Sequence, residues 1–194
     1  MLNGKLIDGK KLAAAHEEIL KAKLNKLKIK PKVVSILVGN DPASVLYSQM
    51  KQKKATELEI GFKLKKFSED ADFEEIAKEI KNLNHDQSVS GIMVQLPLPK
   101  KFLDNYQTEK LLKLISPKKD VDGLTGKGKN IPAAVKAVLS ILDDEEIILP
   151  GALVTIIGAS QLVGLPLAKL LKKKKAKVSV CDITTSNLRE QTLR

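Results

Sequence analysis

Apolar positions along the chain switch repeatedly between helical spacing and short unbroken runs, and most switches are marked by Gly, Pro or Asp. Leu12, Ala15, Ile19, Ala22 and Leu27 recur at near-helical spacing. They predict an amphipathic helix over residues 10–28 with Asp8 as its cap. Val33-Val34-Ser35-Ile36-Leu37-Val38-Gly39 is an apolar run stopped by Gly, the mark of a strand buried in a parallel sheet. Asp41-Pro42 supplies an N-cap and a first-turn proline for a helix reaching about Leu58. Phe62 to Phe67 alternates as a strand, and residues 72–83 return to helical spacing. Val89 to Gln95 forms another apolar strand, stopped by Leu96-Pro97-Leu98-Pro99.

Beyond that point Thr108 to Ile115 is a short helix, and Ser116 to Asn130 is a polar Gly- and Lys-rich loop. Pro132 to Leu142 is helical, Leu153 to Ile157 a strand, Gln161 to Lys175 a helix and Lys177 to Cys181 a strand. Strands alternating with helices predict an α/β protein with parallel sheets. The seam falls in the region 118–150 and separates a first α/β unit, residues 1–120, from a second βαβ unit, residues 121–194.

Composition narrows the function classes. The chain has 194 residues, 43% of them hydrophobic and 29% charged, enough to bury a core. Aromatics are 3% with no Trp, which argues against a stacking surface for single-stranded nucleic acid. With 34 Lys+Arg against 23 Asp+Glu the formal charge is +11, but only Arg189 and Arg194 are arginine. Phosphate-gripping surfaces usually add arginine forks, so the charge reads as a lysine habit and nucleic-acid binding as a minor alternative. Cys181 is the single cysteine, so neither an intramolecular disulfide nor a cysteine-based zinc cluster can form. The start lacks the apolar core of a signal peptide. Residues 147–168 carry no charge, yet Pro150, Gly151, Gly158, Gly164 and Pro166 punctuate them, which suits strand, turn and helix better than a membrane span. The expectation is a soluble cytoplasmic protein with no metal.

Several positions could carry chemistry. Val154 to Gly164 reads as strand, Gly-containing turn and helix start, where backbone N–H groups can meet a phosphate. The spacing is not GxGxxG, because Ser160 replaces the second Gly and the last Gly comes later; an ordinary βαβ turn explains it equally well. Asp182, at the next strand end, could accept from a ribose 2′-hydroxyl or simply be solvated. Tyr47 and Lys51 are four apart and share a helix face; a partly desolvated lysine can exchange protons near neutrality. Gln95 closes a buried strand at the end where α/β sheets bind ligands. Asp120-Val121-Asp122-Gly123 could present a carboxylate to an amide-like edge or form an Asx turn. His16 and His85 have no partner cluster and read as structural or solvated.

In chain order, Asp41-Pro42-Ala43-Ser44 with Tyr47 and Lys51, Gly91-Ile92-Met93-Val94-Gln95-Leu96-Pro97-Leu98-Pro99, Lys119-Asp120-Val121-Asp122-Gly123-Leu124-Thr125, and Gly158-Ala159-Ser160 with Val163, Gly164 and Pro166 form a series. It closely resembles the bifunctional methylenetetrahydrofolate dehydrogenase/cyclohydrolase family of the FolD type, across essentially the whole chain. The resemblance implies a three-layer N-terminal α/β domain that binds folate and carries catalysis, then the first half of a Rossmann-like NAD(P)-binding domain, the two flanking a cleft. It implies oxidation of 5,10-methylenetetrahydrofolate with a nicotinamide cofactor, usually NADP, and hydrolysis of the methenyl product to 10-formyltetrahydrofolate.

By the same resemblance Lys51 is the acid/base of the hydrolytic step and Gln95 positions it. Tyr47 orients the folate ring, Leu96 and Pro97 line its site, and Asp122 binds the pterin edge. Gly158, Ala159, Ser160, Val163 and Gly164 hold the cofactor phosphates, with Asp182 on the ribose. Tetrahydrofolate derivatives and a second copy of the chain, as a homodimer, are the implied partners. Two departures shape the expectation. Asp182-Ile183 stands where the family commonly has Ser or Arg, which favours NAD over NADP. The chain also ends two strands into the cofactor domain, so the expectation is either a fragment or truncated reading frame, or a family member whose hydride transfer is impaired, with the hydrolytic constellation present in both. A catalytically inactive member that binds folate or a partner is the alternative.

Overall fold

The computed structural model describes residues 6–102 and 105–192; residues 193 and 194 of the expected second segment lie outside them. The chain divides into two compact units, Met1–Leu114 and Ile115–Arg194.

The first unit begins with α1 (Gly9–Asn25), whose N-cap Asp8 accepts from the backbone N–H groups of Lys10 and Lys11. The helix stops before residue 28, and Leu24 is its one buried residue; Leu27, the last apolar position of the predicted stripe, is half exposed. Strand β1 (Lys32–Val38) leads to α2 (Pro42–Glu57), then β2 (Gly61–Phe67), α3 (Phe73–His85) and β3 (Gly91–Val94). A short 3-10 turn at Lys100–Phe102 precedes α4 (Asn105–Lys113), which begins ahead of the predicted start at Thr108.

The three strands are parallel in the order β2-β1-β3, with Val33 opposite both Phe62 and Gly91. The chain moves one way from β1 to β2 and back the other way from β2 to β3. Right-handed crossovers therefore place α2 and α3 on opposite faces of the sheet. Burial agrees: Val34 to Val38 on the central strand are all buried, which requires cover on both faces. Helix α3 buries Ile76, Ala77, Ile80 and Leu83, a regular apolar stripe, and Lys65 on β2 pairs with Glu79 of α3 at 3.0 Å.

Helix α2 is built differently. Asp41 caps it by accepting from the Ser44 N–H at 2.8 Å, which holds the Asp41 carboxyl below its ordinary range. Its buried residues are Ser44, Ser48 and Ala55, so the helix seats on the sheet through small side chains. Leu46, Tyr47 and Met50 are left exposed. Lys54 joins Glu57 at 2.7 Å and Glu17 of α1 at 2.9 Å, and these partners push its pKa up to about 12.

The second unit contains α5 (Ala133–Asp144), β4 (Leu153–Ile157), α6 (Gly164–Lys173), β5 (Lys177–Cys181) and α7 (Leu188–Thr192). Strands β4 and β5 pair in parallel, Val154 opposite Val178. Val135, Leu149, Ile156, Leu167, Ala168, Leu171 and Ala176 form its core. Helix α6 starts later than the expected Gln161, because residues 158–163 are spent on the turn that brings it back onto β4. Helix α7 was not expected; the Thr155 hydroxyl donates to the carbonyl of Gln191 at 2.7 Å and ties it to β4. Among the described residues no helix is long and apolar enough to cross a membrane, and no group of His, Cys, Asp and Glu could hold a metal.

Candidate functional site

In the first unit, chemistry gathers at the carboxyl end of the sheet, where β1 and β3 are neighbours and the chain leaves β1 toward β2 on the other side. This is the crevice in which open α/β sheets hold ligands. Gln95 follows β3 directly and is 5% exposed; its backbone N–H donates to the Ile36 carbonyl at 2.9 Å, extending the ladder by one residue. Its side-chain carbonyl accepts from Lys51 Nζ at 3.2 Å.

Lys51 reaches that point because it lies on the sheet-facing side of α2, one turn beyond buried Ser48 and one turn before buried Ala55. Its ammonium also approaches the Met93 sulfur at 3.7 Å and stands 6.0 Å from the Tyr47 ring centroid, at the limit of a cation–π contact. Tyr47 is 62% exposed and offers a flat aromatic face beside the amine. The structure thus brings Tyr47, Lys51 and Gln95 together. Leu96 and Pro97 follow in the turn, with Leu96 half-buried and Pro97 exposed.

One member of this group lies outside the set expected from the sequence. Ser35, in the middle of β1, is fully buried, and its oxygen accepts from Gln95 Nε2 at 2.7 Å. The signal was a single hydroxyl within an otherwise apolar strand, a position where a polar group needs a partner.

In the second unit Asp120 and Asp122 have different places. Asp120 is 1% exposed, and its carboxylate accepts from the Thr125 N–H at 2.8 Å, the Thr125 hydroxyl at 2.7 Å and the Leu124 N–H at 3.2 Å. The Asn130 amide donates to its carbonyl at 2.7 Å. Asp120 is therefore the knot of the loop, its carboxylate bonding residues four and five positions on where an Asx turn would bond two positions on, and Asp122 is half-buried beside it. Gly123 (φ +67°) completes the knot: a Cβ there would stand 2.7 Å from the Asn130 carbonyl oxygen.

The turn from β4 into α6 carries the other candidates. Gly158 has φ +109° and open space where a side chain would be, whereas a Cβ on Gly164 would collide with the Gly158 carbonyl oxygen. Gly164 thus does the work of a close-packing glycine although the spacing is not that of the dinucleotide fingerprint. Ser160 is exposed, and its hydroxyl accepts from the N–H groups of Val163 at 3.2 Å and Gly164 at 3.3 Å, which closes the turn ahead of α6. Ala159 lies between the two. A bare, outward-facing turn at the positive end of a helix fits the phosphates of a dinucleotide. Asp182, at the end of β5, accepts through Oδ1 from the Thr184 hydroxyl at 2.7 Å and the Thr184 N–H at 2.9 Å. These bonds, the hydroxyl's first, hold its carboxyl below the ordinary range. Ile183 is fully exposed next to it.

Comparison with known proteins agrees along the whole length. Residues 7–122 match the catalytic domain of tetrahydrofolate dehydrogenase/cyclohydrolase, and residues 132–194 match its NAD(P)-binding domain. The bifunctional protein FolD of Mesoplasma florum is 37% identical over 97% of this chain and 69% of its own. The bifunctional FolD methylenetetrahydrofolate dehydrogenase/cyclohydrolase of Campylobacter jejuni superposes with a TM-score of 0.90 at 38% identity, over 96% of this chain and 70% of that one. The Trypanosoma brucei enzyme, solved with NADP and an inhibitor, gives a TM-score of 0.86 at 26% identity, over 95% and 66%. Nucleic-acid binding, the alternative drawn from charge, finds no support in these matches.

Proposed function

The chain belongs to the tetrahydrofolate dehydrogenase/cyclohydrolase family, and from that premise we propose that it oxidises 5,10-methylenetetrahydrofolate to the methenyl form and hydrolyses that form to 10-formyltetrahydrofolate, with Lys51 as the acid/base of the hydrolysis. The observation that carries the reading is the Lys51 ammonium at 3.2 Å from the buried Gln95 carbonyl, at the ligand-binding end of the sheet and beside the exposed ring of Tyr47.

The chemistry needs three proton movements. Water adds to the cationic methenyl carbon and loses a proton to a base, leaving a hydroxyl on that carbon; the bond from that carbon to N5 then breaks as N5 takes a proton and the hydroxyl releases its own to solvent, leaving the formyl group on N10. One amine can serve the first two in turn. Gln95 fixes where the nitrogen sits, and Tyr47 offers the folate ring a face to stack on. Leu96 and Pro97 wall the site, and Asp122 accepts from the amide-like pterin edge.

A bound nicotinamide nucleotide supplies the hydride acceptor for the oxidation. Gly158, Ala159, Ser160, Val163 and Gly164 line its phosphates, and Asp182 accepts from its ribose. A carboxylate there repels a 2′-phosphate, so the preference is for NAD over NADP. The reading also includes a homodimer working in the cytoplasm, its dimeric state checked by sedimentation.

The test is turnover by the purified chain. Loss of methenyltetrahydrofolate is followed by absorbance, and reduction of NAD or NADP in the presence of the methylene form. Hydrolysis above the buffer rate that disappears in Lys51→Met supports the proposal. Equal hydrolysis by both proteins removes Lys51 from the mechanism.

A further inference from the structure

The polar line does not end at Gln95. Ser35 sits at the centre of the central strand, fully buried, in register with Leu64 on one side and Met93 on the other. A hydroxyl there loses water and gains no apolar packing over alanine, so its position calls for a hydrogen-bonding task. Its partner is Gln95 Nε2 at 2.7 Å, and the other end of the same amide faces Lys51. An amide is nearly symmetric in shape, and its terminal torsion is broad and two-fold. Packing alone therefore does not decide which end faces the lysine; the hydrogen-bond partners do.

We propose that Ser35 is a positioning residue for the hydrolytic step, orienting the Gln95 amide and through it the Lys51 nitrogen. The proposal rests on the assignment of Lys51 above. A serine hydroxyl both accepts and donates. It accepts from Nε2 when Oε1 faces a Lys51 ammonium. It donates to Oε1 when the amide turns and Nε2 faces the lone pair of a Lys51 amine. Ser35 thus keeps both ends of the buried amide hydrogen-bonded in both states that a base-then-acid cycle visits. An alanine at position 35 leaves one end of Gln95 unbonded in either state.

The experiment compares Ser35→Ala, Ser35→Thr, Gln95→Leu and the Ser35→Ala/Gln95→Leu pair in the full chain. The expected result is about a tenfold fall in kcat for methenyltetrahydrofolate hydrolysis in Ser35→Ala, the scale of one hydrogen bond, with KM nearly unchanged. The ratio of hydrolysis to methylenetetrahydrofolate oxidation should fall with it, since hydride transfer draws no proton from Lys51. Ser35→Thr should recover most of the loss, and Ser35→Ala should add little once Gln95 is leucine. Losses that multiply in the double variant, or a Ser35→Ala enzyme with the parent kcat and ratio, overturn the proposal.

A second measurement does not depend on turnover. The Gln95 side-chain amide resonance, assigned by its disappearance in Gln95→Leu, should shift in Ser35→Ala and shift again in Lys51→Met. An amide resonance indifferent to Ser35 overturns the proposal, whereas Lys51→Met with parent hydrolysis overturns only the assignment of Lys51.

Discussion

The carbonyl oxygen of Gly158 occupies the space that a side chain on Gly164 would need, so helix α6 can begin where it does only because position 164 carries no Cβ. That contact joins the first residue of the turn after β4 to the first residue of the helix that follows it. Gly164→Ala should force the turn and helix apart. The expected cost is about 1–3 kcal/mol, as for other overpacked sites, together with weaker NAD(P) binding. Thermal unfolding and a cofactor titration check both; an unchanged Tm with unchanged affinity would show that the turn yields freely.

Replacing Lys51 with methionine keeps the length of the side chain and removes its proton chemistry. Hydrolysis of methenyltetrahydrofolate should fall by about 10²-fold or more, while oxidation of the methylene form falls much less. Stopped-flow absorbance on both reactions separates the two; equal losses in both would mean that the residue shapes the site and does not move the protons.

Ile36 is fully buried on the central strand, with cover on both faces. Ile36→Ala should cost about 2–5 kcal/mol by transfer and cavity formation. Urea unfolding gives the value directly. Ser35→Ala, one residue away, should cost clearly less, and the reverse order would contradict the packing described for β1.

The Asp182 carboxyl is held below its ordinary range chiefly by the Thr184 hydroxyl. A carboxyl lowered in the folded state contributes stability above its unfolded pKa and loses it as the pH falls through the lowered folded value. Thr184→Val should therefore move the Asp182 titration upward, as read by carbon NMR of the carboxyl, with little change in stability because the group is exposed. Asp182→Ser should raise the preference for NADP relative to NAD by about tenfold through lost charge repulsion. Unchanged cofactor selectivity would take Asp182 away from the ribose.

Much of this protein can be read from local chemistry. Asp41-Pro42 marks the start of α2 because a cap and a fixed φ act within one turn, and β4 and β5 match their apolar runs residue for residue. Helix α6 shows the opposite case. Its apolar spacing extends back to Gln161, but the approach of Gly164 to Gly158 delays the helix. Helix α7 has no apolar stripe of its own and exists against Thr155.

Lys51 and Gln95 could be picked out individually from spacing and strand position, and the resemblance of the surrounding strings gave them roles. The sequence by itself determined the alternation of strands and helices, the capped start of α2 and the identity of the residues with useful chemistry, because these depend on neighbours a few positions apart. Tertiary structure alone decided that β1 lies between β2 and β3, that α2 turns its serines inward and its tyrosine outward, and that Ser35, Gln95 and Lys51 share one hydrogen-bonded line. Those relations join residues 44 and 60 positions apart, and only the packing of α2 and the pairing of β1 with β3 bring such distant residues within bonding distance.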